Sequence, residues 1–322
     1  MRRLFGLVVV LVVAMSVGGA VAHGADLPPA GVVSATIPGG GGPVSIAVGG
    51  GSVWVVSGED DLLRRIDPAT NAVVNSIPVG CCFFHSIAYG DGSVWVSNFT
   101  DNTVQRINPA TNTITATINT GGLAPEGIAV TPTAVWVANH HGNPTGSVAR
   151  IDPTTNATVA VSPLGAAQTC CGPQAIAAAG GSIWVGVPNL SEVARIDANS
   201  NAVTATVADP SPCGDIAVTS VIWIASGSCG PIGLRSIDSV TLATGSASPG
   251  GASYGLSAGL GSLWTSVTGA GLSPKAAALV RLDPLTGNPL ARSHMPCAGE
   301  LATAGGSIWI GCDGTVVRVR PS

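Results

Sequence analysis

The chain has 322 residues, of which 46% are hydrophobic, 9% charged and 4% aromatic, with 44 Gly, 23 Pro and a formal net charge of −4. The apolar content excludes simple disorder, the lack of a Gly-X-Y period excludes collagen, and a single Lys in an acidic chain excludes a basic nucleic-acid binder. Seven of the thirteen aromatic residues are Trp, an inverted ratio that needs a structural reason.

Arg2 and Arg3, the apolar run 4–15 and the Ala20-Val21-Ala22 cleavage site read as a signal peptide over 1–22. Twelve apolar residues are too few to span a bilayer. A short linker, 23–30, then leads into one domain over 31–322. The protein is expected to be secreted, or at least extracytoplasmic, with no transmembrane segment. Without the leader, eleven basic residues face seventeen acidic ones, and all eight Cys remain. An even Cys count in an exported chain argues for disulfides.

The first strand signal, Gly31–Pro38, has no partner near it in sequence. Seven units follow, each centred on one Trp, at positions 54, 95, 136, 184, 223, 264 and 309. In unit 1 an Ile46-Ala47 pair precedes Ser52-Val53-Trp54-Val55, and Arg65-Ile66-Asp67-Pro68 follows it. A polar turn then leads into the alternating run 72–78. Units 2 to 4 repeat the plan around Trp95, Trp136 and Trp184, unit 3 with the longest loops. Unit 5 is looser and lacks the Arg. Unit 6 restores it at Arg281, and unit 7 stops at Ser322 with three strands. Short β-branched runs between Gly, Ser and Asp-Pro turns are strand signals. Four of them per 40–45 residues mark a propeller blade. The sequence therefore predicts an all-β, seven-bladed β-propeller of four-stranded blades. Gly31–Pro38 resembles the outer run 72–78, so the N-terminal strand should complete the last blade and close the ring.

Calling the rim where inner strands begin the top, the Asp-Pro turns fall below, where Asp and Pro build the turn itself. The repeated Trp and Arg read as packing. Residues that do not repeat are the functional candidates. His85, Glu126, Gln174, Asp215, Tyr254 and Glu300 precede inner strands and should ring the channel mouth, with His140 and His141 in a neighbouring loop. Polar groups converging on a concave mouth are the default binding site. Adjacent histidines on a strand should point apart, which argues against His140 and His141 sharing a metal. Glu59-Asp60-Asp61 lacks the alternate spacing of a calcium loop. All eight Cys map to the top. Cys213–Cys229 and Cys297–Cys312 would each bridge the open end of a hairpin. Cys81-Cys82 and Cys170-Cys171 either close as vicinal disulfides or cross-link the two loops.

The units 92–98 and 106–112 resemble the YVTN/YncE-type repeat propellers and the wider group containing the virginiamycin B (streptogramin) lyases. That resemblance implies the propeller fold over nearly the whole mature chain. It also implies, as one possibility, a Mg²⁺-assisted elimination at the top. In the lyases the third residue after the repeat aromatic is often Glu. Here it is Ser57, Asn98, Asn139, Val187, Ser226, Val267 or Cys312, so no catalytic residue is carried over. No G-x-S-x-G nucleophile elbow occurs either. The leading expectation is a monomeric, non-catalytic module that binds a small molecule, glycan or protein at its top face, without a cofactor. The alternative is a lyase or hydrolase using His85, Glu126 and Glu300 around a divalent cation, Mg²⁺ or Ca²⁺.

Overall fold

The computed structural model describes residues 27–42, 44–80, 86–141, 146–165, 172–210, 212–227, 233–269 and 277–322. Its 28 strands form seven sheets of four. In blade 1 the order from the channel outward is Val44–Gly49, Ser52–Ser57, Leu62–Asp67, Ala72–Pro78, all antiparallel. Blades 2 to 6 keep that order. Blade 7 is Leu301–Ala304, Ser307–Cys312 and Thr315–Pro321, completed from outside by Gly31–Pro38. The closing register runs from Gly31 opposite Pro321 to Pro38 opposite Thr315. Inner strands of successive blades are neighbours around the ring, and that of blade 7 meets that of blade 1. Among the described residues the one helical element is the 3₁₀ turn Pro188–Leu190, and no helix is long and apolar enough to cross a membrane.

The Trp residues explain the blade count. All seven are at most 1% exposed. Each lies between its own blade and the next. Trp95 of blade 2 packs with Ile128, Val135 and Ile151 of blade 3, and Trp309 of blade 7 with Ile46, Val53 and Ile66 of blade 1. A blade cannot bury both faces alone, so apolar burial is completed only when neighbours stack.

Four of the six repeat Arg add a directional tie to the next blade. Arg106 lies over its own Trp95 at 4.9 Å and donates from Nε to Ser93 at 2.8 Å. It then reaches the bottom turn of blade 3, donating to the Pro153 carbonyl and, at 3.0 Å, to Asn156 Oδ1. Arg65 and Arg318 make the same contacts, to Pro109 and Asn112, and to Pro68 and Asn71. Arg150 keeps only the bond to Asn201. The four Asn acceptors all have positive φ, between 54° and 59°, a region that Asn tolerates better than most residues. The outer strand bulges opposite every repeat Arg, and blade 5, which has Ser236 there, has no bulge.

The arrangement breaks down at three of the seven blade junctions, those between blades 4 and 7. Arg195 of blade 4 faces a turn whose positive-φ residue is Leu242, which offers no acceptor. Blade 5 has no Arg in place, and Trp223 Nε1 and Thr219 instead donate to the Pro284 carbonyl of blade 6. Arg281 faces blade 7, whose outer pair has no connecting turn because the chain ends there.

Candidate functional site

The mouth of the channel is built from two adjacent sequence positions. In blades 5 and 7 the acid immediately precedes the inner strand and follows a glycine, as Gly214-Asp215 and Gly299-Glu300. A Cβ at Gly299 would lie 1.8 Å from the Gly311 carbonyl of its own blade. In blades 3 and 6 the order reverses to Glu126-Gly127 and Tyr254-Gly255, and a bulge interrupts the inner pair there. A Cβ at Gly127 would lie 2.1 Å from the Gln174 carbonyl of blade 4, and one at Gly255 2.2 Å from the Gly299 carbonyl of blade 7. The glycines thus let inner strands approach and leave the neighbouring side chain for the mouth.

Asp215 and Glu300 each reach across to the next blade. Asp215 Oδ2 accepts the Leu256 N–H at 3.1 Å, and Glu300 Oε2 accepts the Ile46 N–H at 3.3 Å and a Ser45 hydroxyl bond. Glu126 sits on blade 3, its backbone carbonyl accepting the Ser97 hydroxyl at 2.8 Å. The three acids therefore stand on blades 3, 5 and 7. Burial raises all three carboxyl pKa values. Glu126 moves from 4.5 to about 7. Asp215 rises through burial, opposed by its Leu256 bond. Glu300 rises through burial first, then through the negative charges of Asp215 and, more weakly, Glu126. The seven inner strands otherwise contain no charged residue, so nothing basic on them offsets this charge.

A second group lies beside the mouth on blades 2 to 4. His140 and His141, at the end of Ala134–His141, have ring centroids 4.4 Å apart. The expectation that they point apart fails: His141 still pairs with Leu123, but a bulge interrupts the inner pair just before it, between Pro125 and Ile128, and a bulge bends and twists the strands it joins. Phe99 approaches them at 5.8 and 6.2 Å. Gln174 Nε2 lies 3.4 Å from His140 Nε2. Burial, and then His141, lower the His140 pKa to about 4, so that ring is neutral near neutral pH. Tyr254 is 42% exposed on blade 6. His85 and the Cys81-Cys82 and Cys170-Cys171 pairs lie outside the described residues, as does Cys229.

The Cys297–Cys312 disulfide is present, with Cα atoms 5.8 Å apart, and Cys213 is disulfide-bonded. Asp60 is held by Arg64, which lowers its pKa. Among the described residues no group of three or more His, Cys, Asp or Glu side chains is arranged to hold a metal ion. Two contributors have a sequence signal that was passed over. Ser45 occupies the same column of the repeat as Asp215 and Glu300, and Phe99 is an aromatic outside the Trp repeat.

No protein-family profile matches the chain, and no curated protein matches it. Solved structures do match in shape. Hydrazine synthase from Kuenenia stuttgartiensis aligns with a TM-score of 0.69 at 14% identity, over 89% of this chain and 96% of that one. Virginiamycin B lyase from Staphylococcus aureus gives 0.67 at 16%, over 89% and 99%. The computationally designed protein Ika8 gives 0.64 at 13%, over 88% and 98%. These likenesses establish the propeller fold.

Proposed function

We propose that the protein is a ligand-binding module whose site is the top mouth of the channel, in a secreted, monomeric propeller. One observation carries this reading. Three carboxylates stand at inner strands that otherwise contain no charged residue, where burial raises their pKa values at a cost to folding stability. Stability given up at a concave, polar mouth is characteristic of binding sites. Glu126, Asp215 and Glu300 would take the positively charged or hydrogen-donating part of a ligand, with Gln174, His85 and Tyr254 completing the rim.

The pH dependence follows from the sign of the shifts. Each acid binds its proton more tightly when folded, so its contribution to stability is complete at low pH and is lost as pH rises from its ordinary value through its raised one, for Glu126 from 4.5 to about 7. Thermal melting from pH 4 to 9 should show a falling limb on the alkaline side. Glu300→Gln keeps an acceptor for Ile46 and removes the charge, so it should flatten that limb and raise Tm at pH 8 by ~2–4 °C for each kcal/mol relieved. Mg²⁺, Ca²⁺ and the diamine putrescine should each be tried as cationic probes. Stabilisation of the wild type at pH 8 that is lost in Glu300→Gln supports the mouth as a cation-accepting site. A flat profile with no cation effect overturns it.

The lyase alternative keeps one supporting observation: a carboxyl titrating near 7, such as Glu126, can exchange protons at neutral pH. Stabilisation by Mg²⁺ but not by putrescine, abolished by chelator, would favour it.

A further inference from the structure

The strand that closes the ring is held by parts that a second copy of this chain also has. Gly31–Pro38 pairs with Thr315–Pro321 from Gly31 opposite Pro321 to Pro38 opposite Thr315. Just before it, the Pro28 carbonyl accepts the Arg292 N–H at 2.8 Å, and the Ala30 and Gly31 N–H groups donate to Ser293 Oγ at 2.9 and 3.1 Å. Ala30 is buried among Trp264, Leu279 and Val319, and Ile37 among Trp309, Val316 and Ile46. All these partners lie on blades 6, 7 and 1, outside the segment itself. Residues 27–38 contain no charged side chain, so the segment brings no like-charge repulsion into a slot on another acidic molecule.

The link from this strand to blade 1 has a composition found nowhere else in the chain. Residues 39–42 are four consecutive glycines, the only such run. They cross the top from the outermost strand of blade 7 to the innermost strand of blade 1. Gly40 and Gly42 have φ of +99° and +77°, values that favour Gly. Glu59 and Asp60 pack on this crossing. A Cβ at Gly42 would lie 2.7 Å from Glu59 Cγ. Asp60 holds Arg64, which donates to the Gly39 carbonyl at 3.2 Å, and the Ser57 hydroxyl donates to the Gly41 carbonyl. A glycine run has no stereochemical preference for one path and loses the most conformational freedom on adopting it. The crossing is therefore a hinge whose course is fixed by contacts from Ser57, Glu59 and Arg64.

We propose that the slot along Thr315–Pro321 also accepts Gly31–Pro38 from a second copy of this chain, and that two copies exchange this strand reciprocally, with 39–42 as the hinge. Each ring is then sealed by its partner's strand. The pairing and packing contacts of the segment are kept, and the hinge alone changes path. A strand on so short a link meets its own slot at an effective concentration of about millimolar. The self-closed monomer therefore prevails in dilute solution, and exchange competes when open chains close at a similar concentration. The exchange makes no use of the carboxylates at the mouth.

The test refolds the mature chain from guanidinium, disulfides intact, at about 1 mM and about 1 μM, at and far below that effective concentration, and reads the mass by light scattering. The dimer fraction should be at least tenfold larger from the concentrated sample. Once isolated, the dimer should persist for hours on dilution, because separation requires both rings to open. Joining Ser322 to Pro28 through a short Gly linker, with new ends at Val240, ties the strand to its own slot, and this variant should stay monomeric at both concentrations. Deleting Gly40 and Gly41 leaves four Cα–Cα steps from Pro38 to Val44, a reach of about 14 Å. The crossing covers at least three strand spacings, also about 14 Å. Self-closure is then strained, and the deletion variant should be dimeric even from the dilute sample. Monomer from every sample, a dimer that separates within minutes of dilution, or a joined variant that dimerises as the wild type does overturns the proposal. Should the joined variant fail to fold, a monomeric deletion variant overturns it alone.

Discussion

Arg106 shows how much one side chain can do in this fold. It touches Trp95 and Ser93 in its own blade and a carbonyl and an amide in the next, 47 and 50 residues further on. Charge-assisted bonds of this kind are worth about 1.5–3 kcal/mol each where partly buried. Arg106→Leu should therefore cost at least ~2 kcal/mol and lower Tm by ~4–8 °C. Arg106→Lys should not rescue it, because a single ammonium cannot reach Ser93 and Asn156 together. Equal melting of the Lys variant and the wild type would refute the role. The recurrence of the Arg was legible in the sequence, but its partners were not, since an inter-blade contact leaves no short-range spacing. The same limit hid Phe99, which becomes meaningful only when folding sets it against His140. Strand alternation also misled at His140 and His141, because a bulge interrupts the inner pair just before them. Glu126, Asp215 and Glu300 were legible because they break a repeat. Their offset by one position was not, because it depends on bulges that make two registers equivalent.

At the scale of the blade, the repeats are unequal. Blade 5 has strands of three or four residues, namely Ile216–Val218, Ile222–Ala225, Leu234–Ile237 and Thr244–Ala247. It neither sends nor receives an Arg tie. Two of the three mouth acids, Asp215 and Glu300, stand on blades that receive no Arg tie, each close to a disulfide-bonded Cys. Cys213 precedes Asp215 by two residues in blade 5, and Cys297 precedes Glu300 by three in blade 7. Each staple thus holds the loop that presents an acid to the mouth. Local opening should be easiest where contacts are fewest. Hydrogen exchange should find the amides of Ile222–Ala225 at least tenfold less protected than those of Ser93–Asn98, with reduction of the disulfides widening the gap. Equal protection in the two strands would show that the missing ties carry little energy.

At the scale of the ring, closure is the dominant fact. The outer strand of blade 7 supplies seven register pairs to its neighbour, and the segment before it caps blade 6, where Arg292 N–H donates to the Pro28 carbonyl at 2.8 Å. Ser293 Oγ also accepts from Ala30 and Gly31. Removing residues 27–38 should lower Tm by more than 15 °C or abolish cooperative melting. A circular permutant that joins Ser322 to Pro28 through a short Gly linker, with new ends at the exposed Val240 in the bottom turn of blade 5, which receives no Arg tie, should stay within a few degrees of the wild type. A stable truncation would mean that six blades and a partial seventh suffice. The two ends of the described propeller already lie together, Ser322 N–H donating to the Ala30 carbonyl at 3.2 Å, which is why the permutant should be tolerated.

That closure also sets a clock. The strand that seals the ring, Gly31–Pro38, is made before every blade, and the strand it must pair with, Thr315–Pro321, is made after six of them. Throughout synthesis the first strand has no partner. Blades 1 to 6 can each form their hairpins as they emerge, but the toroid cannot be sealed until Thr315–Pro321 is free. Up to that moment the chain is an open arc that is still threadable, and afterwards it is a locked disc.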